Sequence, residues 1–203
     1  MLRLPIAPSA LIAVALAVSL AGCVPAPEAT PSASPSESPS ASESASPSTT
    51  PSPEPVALPD CATIYSPAVV ASLTAEGRTS IGDVSGPDTG GWGTGDTTLQ
   101  GILASIPDRV SCTWILPASE SGSTTSIARL DASTRTAVVA ALTAGGYTAS
   151  TVPGGDLYSI DVETEIGSYN ESHLLTDDLW FASYFSGGQS QTLTLDAAAL
   201  LLP

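Results

Sequence analysis

Lysine is absent from this 203-residue chain, and its five arginines face 20 acidic side chains, giving a formal charge of -15 with the single histidine neutral. Recognition of nucleic acid depends on Lys and Arg displacing condensed counterions, so this balance argues against direct nucleic-acid binding and against phosphorylated ligands. Long apolar runs are also missing. The most apolar stretch, Leu11 to Leu20, has 10 residues, whereas a membrane-spanning helix needs about 20. There is no G-x-S-x-G elbow and no Gly-rich loop followed by Lys-Ser/Thr, so serine-hydrolase and nucleotide-phosphate signatures are both lacking. No motif calls for a cofactor.

What is present begins with an address. Arg3 and the amino terminus precede the apolar run, and the run ends in Leu20-Ala21-Gly22-Cys23. Residues 1–22 therefore read as a secretory signal. The Leu-Ala-Gly-Cys segment resembles the lipobox of bacterial lipoproteins, which implies cleavage before Cys23 and acylation of its thiol. The alternative is an ordinary cleavage site beside a chance cysteine. Two acyl chains anchor a protein stably where one is marginal, so the expected location is the extracytoplasmic face of a membrane, held by lipid.

Residues 23–60 form a linker. From Val24 to Asp60 there are 10 prolines and 10 serines in 37 residues, too little apolar surface to offset the entropy of ordering. Proline-rich spacers stay extended in polyproline II conformation. The reading is a stalk lifting a domain from the membrane, or a linker whose length is immaterial.

Residues 61–203 are enough for one core. With Cys23 lipidated, Cys61 and Cys112 remain, an even pair in a compartment where disulfides persist, and they are expected to pair. A thiolate nucleophile or metal ligand would need partners that one histidine and no further cysteine do not supply. Ser66-Pro67 opens a helix that Gly77 ends; Asp96 caps a second; Ser133 begins a third, stopped at Gly145-Gly146. Val110, Cys112, Trp114 and Leu116 alternate with Ser111, Thr113 and Ile115, which predicts a strand with one well-buried face and Cys112 pointing inward. Thr125 to Leu130 returns as its hairpin partner. Tyr147 to Val152 pairs with Leu157 to Glu165 across Pro153-Gly154-Gly155, and Ser172 to Leu175 pairs with Leu179 to Phe185. Asp196 to Leu202 is read as a short docking helix. The expected fold class is α+β: an antiparallel sheet with helices packed on one face and one disulfide.

The blocks Cys61, Cys112-Thr113-Trp114, Ser126 to Asp131, Gly146-Tyr147-Thr148, Gly154-Gly155, Glu171 to Leu175 and Leu179 to Ala182, in this order, resemble a set of uncharacterised actinobacterial lipoproteins. That resemblance implies the location and the architecture and transfers no site. It also implies a second cysteine pair near positions 149 and 158, which here are Ala149 and Tyr158.

Candidate chemistry is thin. Glu171 lies two residues before His173, so on a strand both share one face, and a carboxylate can orient a histidine base. Asp177 or Asp178 is positioned to join them, but no nucleophile is evident. Asp161, Glu163 and Glu165 alternate on one strand; with Asn170 and Glu171 they supply oxygens for calcium, although a straight ladder diverges, and a solvated face is the preferred reading. Trp92, set among five glycines of Ser85 to Gly95, serves either as a lid over a ligand or as a core plug. Trp180 and Tyr184 share a strand face that stacks on a sugar if it is open, on a strand expected to be covered on both sides. The candidate ligand contacts are thus Trp92, Trp180, Tyr184, His173 and Glu171. The functional expectation is a binding or interaction module for a small ligand, a glycan or an envelope protein. A carboxylate/His hydrolase and a structural envelope protein are the alternatives.

Overall fold

In a computed structural model of the chain, describing residues 56–202 except 87, 88, 90 and 166, the alternating segment around Cys112 lies deep in a sheet. The signal segment, Cys23 and nearly all of the linker lie outside the described residues. The elements are α1 (Pro67–Ala75), β1 (Thr79–Asp83), α2 (Thr97–Ser105), β2 (Arg109–Ile115), β3 (Gly122–Arg129), α3 (Ala132–Ala144), β4 (Thr148–Val152), β5 (Gly155–Thr164), β6 (Gly167–Leu175), β7 (Leu179–Ser186) and α4 (Ser190–Leu201). The seven strands form one antiparallel sheet in the order β1-β2-β3-β7-β6-β5-β4. After β3 the chain runs through α3 to the far edge, then returns strand by strand until β7 closes beside β3. The α+β class and the antiparallel sheet are as the sequence predicts.

Helices cover both faces of the sheet, not one. On the first face α1 and α4 bury Leu73, Leu193, Ala197 and Ala198 with Val110, Cys112, Ile127, Leu174, Phe181 and Phe185. On the second, α2 and α3 bury Leu99, Leu103, Val138 and Leu142 with Ala128, Leu175, Trp180 and Ala182. Strand β7 is therefore covered on both sides, as expected, and a fully buried Phe or Leu contributes roughly 1.5–3 kcal/mol. The two-sided burial needs the polar faces of β2 and β3 to be satisfied without water. They satisfy each other: Ser111 and Ser126 hydroxyls meet at 2.7 Å, Thr113 and Thr124 at 2.7 Å, and Thr125 and Ser183 at 2.6 Å, the Tyr65 hydroxyl donating to Thr125 at 2.6 Å.

The helix starts follow their caps. Ser66 Oγ accepts from the Val69 amide, and Asp96 accepts from the amides of Thr98 and Leu99 at 2.9 Å each. The third helix begins one residue before Ser133, because Asp131 is its cap and accepts from the Thr134 amide at 2.7 Å. The closing helix is longer than expected, starting at Ser190. Its Asp196 receives both the amide and the hydroxyl of Ser66 at 2.7 Å, tying α4 to the start of α1. A negative charge there also complements the positive end of that helix. Ala149 and Tyr158 stand directly opposite each other in the β4–β5 ladder, so the hairpin is held by that ladder and by packing of Tyr158 into the second core.

Cys61 and Cys112 form a disulfide with Cα atoms 5.3 Å apart, closing a sequence separation of 51. A loop of that size, once cross-linked, stabilises by about 4 kcal/mol on the chain-entropy account. Replacing both cysteines with alanine should therefore lower the unfolding free energy in urea by about 3–5 kcal/mol. A loss below about 1 kcal/mol would show that the bridge adds nothing the packing does not already supply.

Candidate functional site

The end of the Gly-rich stretch after β1, at residues 91–95, lies against the sheet. The Gly93 amide donates to Ser126 Oγ at 2.9 Å, and a Cβ built on Gly93 would sit 1.8 Å from the Ala182 carbonyl oxygen. Only glycine permits so close a backbone approach. Trp92, partly exposed, packs into the second core with the Arg109 guanidinium 5.5 Å from its ring centroid. Its ring thus serves mainly as packing.

That crossing delivers Thr94 and Gly95 to Glu171 on β6. Thr94 Oγ1 donates to Glu171 Oε2 at 2.5 Å, the Gly95 amide to Oε1 at 2.7 Å, and Tyr147, between α3 and β4, to Oε2 at 2.6 Å. Glu171 is only 2 % exposed and His173 is fully buried. The two share a strand face, as the sequence predicts, with His173 Nε2 3.5 Å from Glu171 Oε2. At that length Nε2 makes no hydrogen bond. The other ring nitrogen is occupied: Trp180 Nε1 donates to His173 Nδ1 at 3.2 Å. An indole nitrogen only donates, so Nδ1 carries no proton and the imidazole is the neutral Nε2–H tautomer.

The electrostatics agree with this assignment. Burial pushes the His173 pKa down, against the pull of Glu171. Burial acts to raise the Glu171 pKa, but its polar neighbours, His173, Thr94, Tyr147 and the Gly95 amide, outweigh it and hold the carboxyl below its usual range. Burial and the contact with Glu171 push the Tyr147 phenol up, so it remains a donor. The result is an ionised carboxylate beside a neutral, enclosed histidine. As a general base His173 has no route to a substrate: it is shielded from solvent, and Asp177 and Asp178 stay at the β6–β7 bend, with Asp178 3.8 Å from Arg129.

The side chains that reach the surface lie along one rim. A cleft of about 340 Å³ is lined by Asp96, Thr97, Tyr147, Ile160, Val162, Tyr169 and Glu171. Beyond Tyr169, a neighbouring cleft of about 390 Å³ is lined by Glu120, Thr164, Tyr184 and Ser186 among others. Tyr169 and Tyr184 meet with ring centroids 4.8 Å apart. Of the predicted ligand contacts, Glu171 and Tyr184 thus border open space, whereas Trp180 and His173 are fully buried. Thr94, Tyr147 and Tyr169 were not singled out as site residues by the sequence, and Asp96 only as a helix cap: Thr94, Asp96 and Tyr147 come from segments remote from Glu171, whereas Tyr169 carried the same two-residue spacing as His173 on a stretch that did not read as strand. Of the oxygens suggested for calcium, those of Asp161, Glu163 and Asn170 line one cleft, while Glu171 projects through the opposite face; among the described residues no group of three His, Cys, Asp or Glu is placed to hold a metal ion. Asn170 instead accepts from the Ser190 amide at 2.6 Å. Among the described residues no helix is long and apolar enough to cross a membrane.

Comparison of the chain with protein-family models, curated proteins and solved structures returns no match.

Two outcomes follow. Because the folded-state pKa of His173 is depressed, its contribution to stability is complete above the unfolded value, about 6.5, and is lost as pH falls toward the folded value. The loss approaches about 1.4 kcal/mol per pH unit, and Glu171 adds a second loss of the same sign below about pH 4.3. Urea unfolding from pH 8 to pH 5 should show stability falling below about pH 6.5; His173→Gln, which keeps an acceptor for Trp180, should flatten that fall, and an unchanged slope would contradict the neutral assignment. Gly93→Ala should cost at least about 2 kcal/mol by forcing the crossing loop off the sheet, whereas a neutral result in thermal melts would show that the loop does not depend on this close approach.

Proposed function

We propose that this chain is a lipid-anchored lipoprotein of the extracytoplasmic membrane face, whose α+β domain serves as a binding or interaction module. The observation that carries the reading is the apolar run ending in Leu20-Ala21-Gly22-Cys23. Small residues before a cysteine suit processing there, and the thiol offers the nucleophile for a thioether to diacylglycerol. The bridge between Cys61 and Cys112 supports the same compartment. It also leaves Cys23 as the one cysteine outside the pair.

The proline-rich stretch supports a stalk. At about 3.1 Å per residue in polyproline II form, 37 residues reach on the order of 100 Å. Such a spacer carries the domain away from the bilayer, where the acidic surface resists adhesion to anionic lipid. The binding role is supported by the open, tyrosine-lined rim beside Glu171. Partners of the appropriate kind are a small ligand, a glycan or another envelope protein.

Palmitate labelling in cells tests the anchor. Label should enter the wild-type chain and not the Cys23→Ala variant, and globomycin should block processing of the wild type. A chain that matures normally under globomycin and takes up no label would overturn the lipoprotein reading.

A further inference from the structure

Glu171 is a buried anion without a cationic partner. Buried charges are ordinarily paired, yet the only basic group within 4 Å of it among the described residues is His173, which the Trp180 contact keeps neutral. The chain has no lysine. Its described arginines are engaged elsewhere: Arg78 with Glu76, Arg129 with Asp108, Arg135 with Asp156, and Arg109 with the carbonyls of Ile106 and Ser85. A second carboxylate, Asp96, lines the same cleft. The amino end of α2 offers about half a positive charge, and Asp96 already uses it as the cap.

We infer that this cleft binds the primary ammonium group of an organic ligand, which supplies the missing positive charge between Glu171 and Asp96. The rest of the cleft suits that chemistry. Oε1 of Glu171 accepts one hydrogen bond, from Gly95, and a carboxylate oxygen has capacity for a second. Tyr147 and Tyr169 line the cleft, where an aromatic ring attracts a cation, and Ile160 and Val162 add apolar lining for the carbon skeleton bearing the amine. Among the described residues no basic side chain lines this cleft or its neighbour, so an anionic ligand finds no counter-charge there. The ammonium can come from an amino sugar or from an aliphatic amine. This inference rests on the binding-module reading and names its ligand class.

Titration of the detergent-solubilised full chain, carrying ring-labelled tyrosine, reads the site directly, since the chain has five tyrosines. n-Butylammonium should produce saturable shifts in the Tyr147 and Tyr169 signals, and n-butanol should not. Glucosamine and N-acetylglucosamine form the second arm; saturation by glucosamine alone assigns the amino-sugar source, and no response to either assigns the aliphatic one. Asp96→Asn retains a capping oxygen and should weaken n-butylammonium binding about tenfold, whereas Glu120→Gln, in the neighbouring cleft, should leave it unchanged. No saturable shift, equal shifts from n-butanol, or full binding by Asp96→Asn would overturn the inference. Palmitate incorporation does not depend on any of these outcomes, so a failed titration leaves the lipoprotein reading standing.

Discussion

A carboxylate kept ionised inside a sheet sets the terms for half of this domain. Glu171 is held by donors from the loop after β1 and from the segment after α3, segments about 50 residues apart in sequence. Supplying those donors requires the loop to cross the sheet, and crossing requires glycine where the Ala182 carbonyl is closest. Hydrogen bonds to a charged group are among the stronger ones, each worth about 1.5–3 kcal/mol. The same constraint fixes the state of His173: with Trp180 donating to one ring nitrogen, the imidazole cannot become the counter-ion without breaking that contact. Negative charge is thus left facing the rim, and this is the feature that a ligand would complete.

The opposite face depends on different physics. There the disulfide joins the segment before α1 to the central part of β2, and Asp196 joins α4 to the amino end of α1. The two helices and the covalent bridge enclose an apolar core with a hydroxyl network at its centre. Covalent and apolar restraint on one face leaves the other free to carry a polar, open-rimmed site.

Much of the fold was legible because its signals are local. Ser66-Pro67 and Asp96 announce two helices, the alternation around Cys112 announces a strand, and the two hairpins after α3 follow from their turn residues. Other features rest on contacts that sequence does not display. Strand β1 has one large apolar side chain, Ile81, which sits in a bulge between Ser80 and Gly82, so it reads as loop. The first half of β6 is Gly-Ser-Tyr-Asn-Glu, a run without alternation. The second layer of helices was hidden because Ser111, Thr113 and Ser126 look solvent-facing until their hydroxyls are seen to pair across strands. At the site, the shared face of Glu171 and His173 followed from strand periodicity. The donors Thr94 and Tyr147 did not, since nothing in their spacing relates them to β6; Trp180 was placed on the hairpin partner of the His173 segment, but not as its hydrogen-bond donor. The glycine run was the available clue: it marked a close backbone approach without saying to what.

With one histidine in the chain, the nitrogen spectrum of the imidazole tests the central claim without assignment ambiguity. At pH 7 the account predicts a single neutral tautomer, protonated at Nε2 and bare at Nδ1, together with a Glu171 carboxyl carbon shift typical of the ionised form. An imidazolium with both nitrogens protonated, or a protonated Glu171, would supply the missing balance internally and contradict the account.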